Sequence, residues 1–132
     1  MKKQLLLTAF LLVAALTSAQ YNNSIRIEPL LLTDTTSIGQ KIVLPQFEQF
    51  EVKMSKVTIP VGQQTGWHQH ELPVFAYIIE GELTVELKDR KAVVFKKNDS
   101  FAEVIQTQHN GVNRGTTDVV LIAFYMGGKV KE

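Results

Sequence analysis

The three histidines are the residues of this chain best suited to chemistry, because the chain contains no cysteine. Two of them form His68-Gln69-His70, and the third is His109. On an extended strand, side chains two residues apart point to the same face, so one segment can aim two imidazoles at one point. Neutral imidazole is a good ligand for divalent transition metals. The pattern therefore suggests a metal site, although a histidine pair on a strand is about equally typical of surface residues or of rings bonded to backbone carbonyls.

The segments that must position these histidines have the pattern of β-strands. Residues 74–79 are almost wholly apolar, as in a strand covered on both faces, and residues 83–87 alternate between apolar and acidic or polar side chains. Residues 119–126 are apolar on both faces, and we assign the aromatic residues of these strands to the core. Asp89 and Asn98 are suited to turns. No stretch after residue 19 shows helical periodicity, so we expect an all-β sandwich or closed barrel.

One strand changes its apolar pattern part of the way along. The apolar residues at 50, 52 and 54 alternate with charged ones, whereas those at 57 and 59 continue on the opposite parity. A slip of one residue would bring both sets to the same face, and a β-bulge supplies such a slip. We therefore predict a bulge near residues 55–56.

The first histidine motif resembles that of the small cupin family. In that family a glycine is followed by five residues, His-x-His, three or four residues, a glutamate, and after six more residues a second glycine. Here Gly62 precedes His68-Gln69-His70 by five residues, and Gly81 follows. The glycine and histidine spacings match.

The second cupin motif is present in a degraded form. It ends in histidine, three residues and asparagine, which here are His109 and Asn113. Its usual opening Gly-Asp appears as Asn98-Asp99, and its inner Pro-x-Gly appears as residues 104–106, Val-Ile-Gln. The resemblance covers roughly residues 57–125.

The resemblance implies a fold and a set of ligands. The fold would be a cupin-type double-stranded β-helix, a jelly-roll barrel of two packed antiparallel sheets. His68, His70 and His109 would bind one divalent transition metal in the barrel mouth, and Asn113 could orient His109, since metal-bound histidines usually need such a partner. Iron, manganese, zinc, nickel and copper all suit a histidine-rich site with oxygen co-ligands.

The fourth ligand is where the sequence departs from the family. Val74 occupies the position of the first-motif glutamate, with Phe75 beside it. Glu103 is our first candidate, because it lies among apolar residues and an inward carboxylate needs a partner; it would be a ligand or a catalytic base. The alternatives are an outward Glu103, Glu71 (whose parity is wrong), Gln106, or a site of three histidines with water in the open positions.

The first 19 residues have the three-part order of a secretory signal peptide. Lys2 and Lys3 precede the apolar run Leu5–Leu16, and small residues lead to Ala19. The run is shorter than the about 20 residues that a membrane-spanning helix needs. We expect cleavage after Ala19 and export to a periplasm or the medium; an uncleaved anchor or a buried first helix is the alternative.

The rest of the chain suits one domain, which we divide into an N-terminal arm at residues 20–45, a barrel at 46–128 and a polar tail at 129–132. The formal net charge is +1 for the whole chain and −1 without residues 1–19, with no long run of like charge. A nucleic-acid partner is therefore not expected, because phosphate binding needs a basic face. We expect no stable membrane insertion after cleavage. The family resemblance implies a homodimer that pairs through its sheets.

Three functions are compatible with these features. The first is a metal-dependent enzyme of oxygenase or isomerase type that acts on a small oxygenated organic molecule. The second is a binding or sensing module that captures a small ligand without turnover. The third is a metal-free structural barrel with residual histidines. The resemblance does not select among them, because this fold hosts many functions.

Overall fold

The computed structural model describes residues 24–131 and shows two antiparallel sheets that pack face to face. One sheet has the strand order β1-β7-β2-β5 and the other β4-β3-β6. The strands are β1 (Phe47–Ile59), β2 (Val74–Glu80), β3 (Glu82–Leu87), β4 (Arg90–Lys96), β5 (Ser100–Ala102), β6 (His109–Asn113) and β7 (Val119–Val130). The described residues contain no helix, and so no helix that is long and apolar enough to cross a membrane. The predicted all-β fold of two sheets is confirmed; the predicted signal peptide lies outside the described residues.

The core lies between the two sheets because one side of each strand is apolar. Ala76 and Ile78 of β2, Leu83 of β3 and Leu121 of β7 are at most 4% exposed. Phe95 of β4 stacks on Phe101 of β5 with ring centroids 3.6 Å apart, which joins the sheets at one end. The histidines lie at the other end of the barrel interior.

The turns and strand ends follow local chemistry. Asp89 closes the β3–β4 hairpin at a φ of 58°, and Asn98 has a φ of 74°, a left-handed conformation that asparagine and aspartate tolerate better than most residues. The last strand is longer than predicted: it runs on to Val130, where a polar tail was expected from residue 129. Gly128 lies against the backbone of Gln49 and leaves no room for a side chain.

The predicted bulge near residues 55–56 is wrong. β1 pairs with β7 without interruption from Gln49 to Ile59, and its register shifts only between Phe47 and Gln49. The parity changes because the two apolar sets lie on opposite faces of one regular strand. Residues 57 and 59 face the core, whereas the other set forms an exposed apolar face, which we call the β1 outer face: Phe50, Val52 and Met54, which are 51%, 53% and 66% exposed.

The N-terminal arm holds the loop that precedes β6. Before β1 the described residues form no strand, only an isolated bridge between Thr35 and Lys41. The Gln40 amide nitrogen donates to the Ile105 carbonyl at 2.8 Å, and its amide oxygen accepts from the Ile105 amide at 3.0 Å. The Ser37 amide donates to the Ala102 carbonyl. The arm therefore fixes the segment between β5 and His109.

Candidate metal centre

Two of the three histidines face each other across an isolated bridge. The His68 amide donates to the His109 carbonyl and the His109 amide to the His68 carbonyl, both at 2.9 Å. His68 and His70 were expected on a strand, but they lie in the irregular segment between β1 and β2. The His70 carbonyl accepts from the Gln106 amide at 2.8 Å, which ties this segment to the loop before β6.

Backbone carbonyls orient two of the rings. His68 Nδ1 lies 2.8 Å from the Gly66 carbonyl oxygen, and His109 Nδ1 lies 2.9 Å from that of Thr107. A carbonyl oxygen only accepts, so each Nδ1 donates its proton. In the neutral form this leaves Nε2 with a free lone pair, as a metal ligand requires.

The three rings and Glu103 converge on one point. The ring centroids of His68 and His109 are 4.3 Å apart, and His70 lies 5.0 Å from the first and 5.1 Å from the second. Glu103 Oε2 is 2.8 Å from His70 Nε2 and 3.4 Å from His109 Nε2. Glu103 follows β5 and is held there by its amide, which donates to the Val74 carbonyl at 2.8 Å. The Glu103 carboxylate therefore reaches the site from the end of β5. Val74, which occupies the position of the first-motif glutamate, is an apolar core residue.

These four groups fit one divalent transition metal. One donor atom from each lies within 4.8 Å of the others. Donors bound at about 2.0–2.2 Å from one ion are roughly 3–4 Å apart, so small shifts would complete such a site. The set of imidazole and carboxylate suits iron, manganese, zinc, nickel and copper. Glu103 Oε2 lies 3.4 Å from His109 Nε2, which is buried without a hydrogen-bond partner within the described part of the chain. A bound metal would satisfy this atom.

The Glu103 carboxylate and the His109 imidazole shift each other's pKa. Burial acts to raise the pKa of Glu103, but the imidazoles of His109 and His70 outweigh it and lower the pKa from 4.5 to about 2. Burial also acts to lower the pKa of His109, but the Glu103 carboxylate and the Thr107 carbonyl raise it above 6.5. The carboxylate is thus ionised at every ordinary pH, and below the His109 pKa the second proton of that ring occupies Nε2, where a metal would bind.

The site opens into a cavity of about 70 Å³ inside the barrel. Its wall beyond the four candidate ligands is mainly aliphatic: Val57, Ile59, Leu83, Val85, Leu121 and Ala123. Tyr125 also lines it, with its ring centroid 6.0 Å from that of His70 and with Lys53 Nζ 5.3 Å from the ring centre. Burial, with the negative charge of Glu103, raises the pKa of Tyr125 above 10.0, so the phenol stays protonated.

The other residues considered from the sequence lie outside this group. Glu71 accepts from the side chains of Gln69 and Gln106 at the surface, so neither Glu71 nor Gln106 is among the converging donors. The suggested role of Asn113 in orienting His109 is wrong. The Asn113 side chain donates to the carbonyls of Ile59 and Thr117, and thereby holds a loop at the far end of β6.

Tyr125, one of the aromatic residues predicted to lie in the core, lies at the site instead. The pattern of β7 does contain a usable signal, because Tyr125 has the parity of the buried residues Leu121 and Ala123. The neighbouring aromatic residue Phe124 has the opposite parity and lies with Phe75 on the outer side of the sheet.

A family model for the cupin domain matches residues 55–125, more than half of the chain. The chain therefore belongs to the cupin family, as its two histidine motifs predicted. A comparison with curated proteins gives no match.

Solved structures share the fold at low sequence identity. A protein from Bacillus halodurans is 20% identical with a TM-score of 0.53; the match covers 61% of this chain and 66% of that one, just under two thirds. A cupin domain from Bordetella pertussis is 21% identical with a TM-score of 0.52, over 64% and 93% of the two chains. An RmlC-like cupin with a double-stranded β-helix fold, from Methanocaldococcus jannaschii, is 20% identical with a TM-score of 0.52, over 55% and 67%. These similarities establish the fold alone.

Proposed function

We propose that this cupin binds one divalent transition metal through His68, His70, His109 and Glu103, and that it acts there as an enzyme of oxygenase or isomerase type on a small oxygenated molecule. The observation that carries the proposal is the convergence of the four side chains at the head of a cavity. When bound, the metal would supply a Lewis acid that polarises a ligand oxygen.

The chain's own residues have separate tasks in this proposal. The backbone bonds of His68 and His109 hold their rings with Nε2 toward the site. Glu103 suits the role of fourth ligand better than that of general base, because a carboxylate with a pKa of about 2 is a weak proton acceptor at neutral pH. The aliphatic wall excludes water from the far side of a ligand.

The test is metal content. The chain from residue 20, purified without a histidine tag, is compared with the double variant His68→Ala, His70→Ala and with Gln69→Ala, a control whose side chain bonds to Gln108 and Glu71 instead. We expect about one metal per chain in the unmodified protein and in the control, and none in the double variant. No metal in any sample after reconstitution would refute the proposal and favour the structural barrel.

A binding module without turnover is the second candidate, and the cavity wall favours it. Outside the four candidate ligands, the polar side chains among the described lining residues are Thr65 and Tyr125. The Thr65 hydroxyl is already engaged, donating to the Gly66 carbonyl at 3.1 Å and accepting from the Gly111 amide at 2.9 Å. Proton transfer would therefore rest on Tyr125. A Tyr125→Phe variant that abolishes turnover but keeps ligand binding would favour the enzyme.

We further propose a homodimer and export. The β1 outer face is apolar and exposed, and β1 is an edge strand with β7 as its one partner in the sheet, so a second copy could cover this face. Light scattering should give twice the chain mass, and a Val52→Lys, Met54→Lys variant should be monomeric.

For export, mass spectrometry of the chain expressed in a bacterium should find Gln20 at the N-terminus; retention of residues 1–19 would refute the proposed export.

A further inference from the structure

The size of the cavity that contains the metal centre limits what can bind there. Its volume is about 70 Å³. A cavity needs roughly 10–15 Å³ of this kind of volume for each water-sized group, so about five to seven atoms fit. Because the four candidate ligands belong to its lining, a metal and two coordinating oxygen atoms would take part of this space and leave room for about two to four carbons. Four of the residues that form the wall are almost fully buried: Ile59, Leu83, Leu121 and Ala123. The wall belongs to the packed core and cannot widen freely for a larger group.

The wall also limits the polarity of that part of a ligand. Its six aliphatic side chains offer no hydrogen bond, the Thr65 hydroxyl is already engaged, and Tyr125 lies at the metal end, with its ring centroid 6.0 Å from that of His70. A hydroxyl or a second carboxylate placed against this wall would lose water without gaining a partner. An alkyl group would gain by leaving water. The oxygen atoms of a ligand must therefore stay at the metal end.

The charge of the site is the third constraint. A divalent metal, three neutral imidazoles and the ionised Glu103 sum to one positive charge, which one negative charge would neutralise. The described lining residues include no lysine or arginine. Lys53 is exposed, and its Nζ lies 5.3 Å from the centre of the Tyr125 ring, but its side chain is not part of the cavity lining.

We propose that the ligand is a short-chain 2-hydroxy or 2-oxo acid monoanion, which binds the metal through its carboxylate and neighbouring oxygen and places an alkyl group of two to four carbons against the aliphatic wall. This inference rests on the proposed metal function and adds the substrate class to it.

The test uses calorimetric binding to the zinc-loaded protein, whose metal content is measured on the same sample. The probes are glycolate, 2-hydroxybutyrate, 2-hydroxyisovalerate, 3-phenyllactate and the hydroxylated dianion tartrate. We expect affinity to rise about fourfold for each added CH₂ from glycolate to 2-hydroxyisovalerate, the equivalent of about 0.8 kcal/mol. 3-Phenyllactate, whose six-carbon ring exceeds the room for about two to four carbons, and tartrate should bind at least tenfold more weakly than 2-hydroxyisovalerate.

A pair of variants tests whether the wall sets this preference. Val57 of β1 lines the cavity, and Val94 of β4 is 46% exposed elsewhere on the barrel. Val57→Ala should shift the preference toward 3-phenyllactate at least fivefold, and Val94→Ala should leave all affinities unchanged. Thermal unfolding would verify that both variants fold. If Val57→Ala does not fold, the probe series on the unmodified protein still tests the proposal.

The outcomes separate this inference from the proposed function. A protein that holds one zinc but binds tartrate as tightly as 2-hydroxyisovalerate, shows no gain with alkyl length, or binds none of the acids would overturn the substrate class and leave the metal site intact. A protein that holds no zinc would overturn both.

Discussion

Metal binding at this site should compete with a proton on His109. The Glu103 carboxylate and the Thr107 carbonyl hold the pKa of His109 above 6.5 in the metal-free protein, so below that pKa the ring carries a proton. A metal needs the neutral ring, and binding must therefore release the proton. At pH values below the His109 pKa, metal affinity should rise about tenfold per pH unit, or about 1.4 kcal/mol, for this one proton.

The measurement is a zinc competition titration against a chromophoric chelator between pH 5.5 and 8, with the chelator's own protonation taken into account. Calorimetry in two buffers of different ionisation enthalpy counts the released protons. We expect a slope of at least one in the plot of log affinity against pH at the acidic end, and a flatter slope above the His109 pKa.

Glu103→Gln provides the matched control for this reasoning. The amide keeps the shape of the side chain but removes the charge that raises the His109 pKa, whereas the burial that lowers this pKa remains. The bend in the plot should therefore move to lower pH, and the overall affinity should fall because one ligand is lost. A pH-independent affinity at pH 5.5–6.5, or a bend that stays in place in the variant, would refute the assignment of the proton to His109.

Three further predictions concern stability. In the metal-free protein the Glu103 pKa is lowered from 4.5 to about 2, so its contribution of about 3 kcal/mol is present above pH 4.5 and is lost as the pH falls toward 2. Denaturant unfolding should show a loss of about 2 kcal/mol between pH 5.5 and pH 3, which is still one unit above the folded pKa, and Glu103→Gln should largely abolish this loss. Gly81→Ala should destabilise the fold by more than about 2 kcal/mol, because its Cβ would overlap the Asp118 carbonyl oxygen at a positive φ. Gly39→Ala, also at a positive φ but in open space, should cost about 1 kcal/mol. Equal costs in thermal unfolding would contradict the steric argument. Asn113→Ala should cost about 2 kcal/mol because it leaves buried backbone groups unpaired, and it should leave zinc affinity unchanged; a tenfold loss of affinity would restore its suggested role in orienting His109.

The strands and the two histidine motifs could be predicted because both depend on local pattern. Alternation with a period of two follows from strand geometry, so residues 83–87 identified β3 without any knowledge of its neighbours. The turn at Asp89 follows from its own backbone preference. The spacing of His68 and His70 likewise suffices to place two imidazoles near each other in an extended chain.

The change of parity in β1 shows where local pattern fails. The bulge was inferred from the assumption that every apolar residue of a strand faces the same core. The β1 outer face breaks that assumption, because three of its apolar side chains are exposed while the strand stays regular. Whether an apolar residue is buried depends on what packs against it, and the sequence of one strand does not contain that information.

The composition of the site was likewise decided by tertiary structure. The sequence by itself determined the fold class, the two cupin motifs and the three histidines, because these depend on residue types and on spacings along the chain. It left Glu103, Glu71 and Gln106 as rival fourth donors. The pairing of β5 with β2 and the contact of the Glu103 amide with the Val74 carbonyl bring Glu103 to the imidazoles. Distances between groups that are far apart in sequence depend on strand order and register, which arise only when the two sheets pack together.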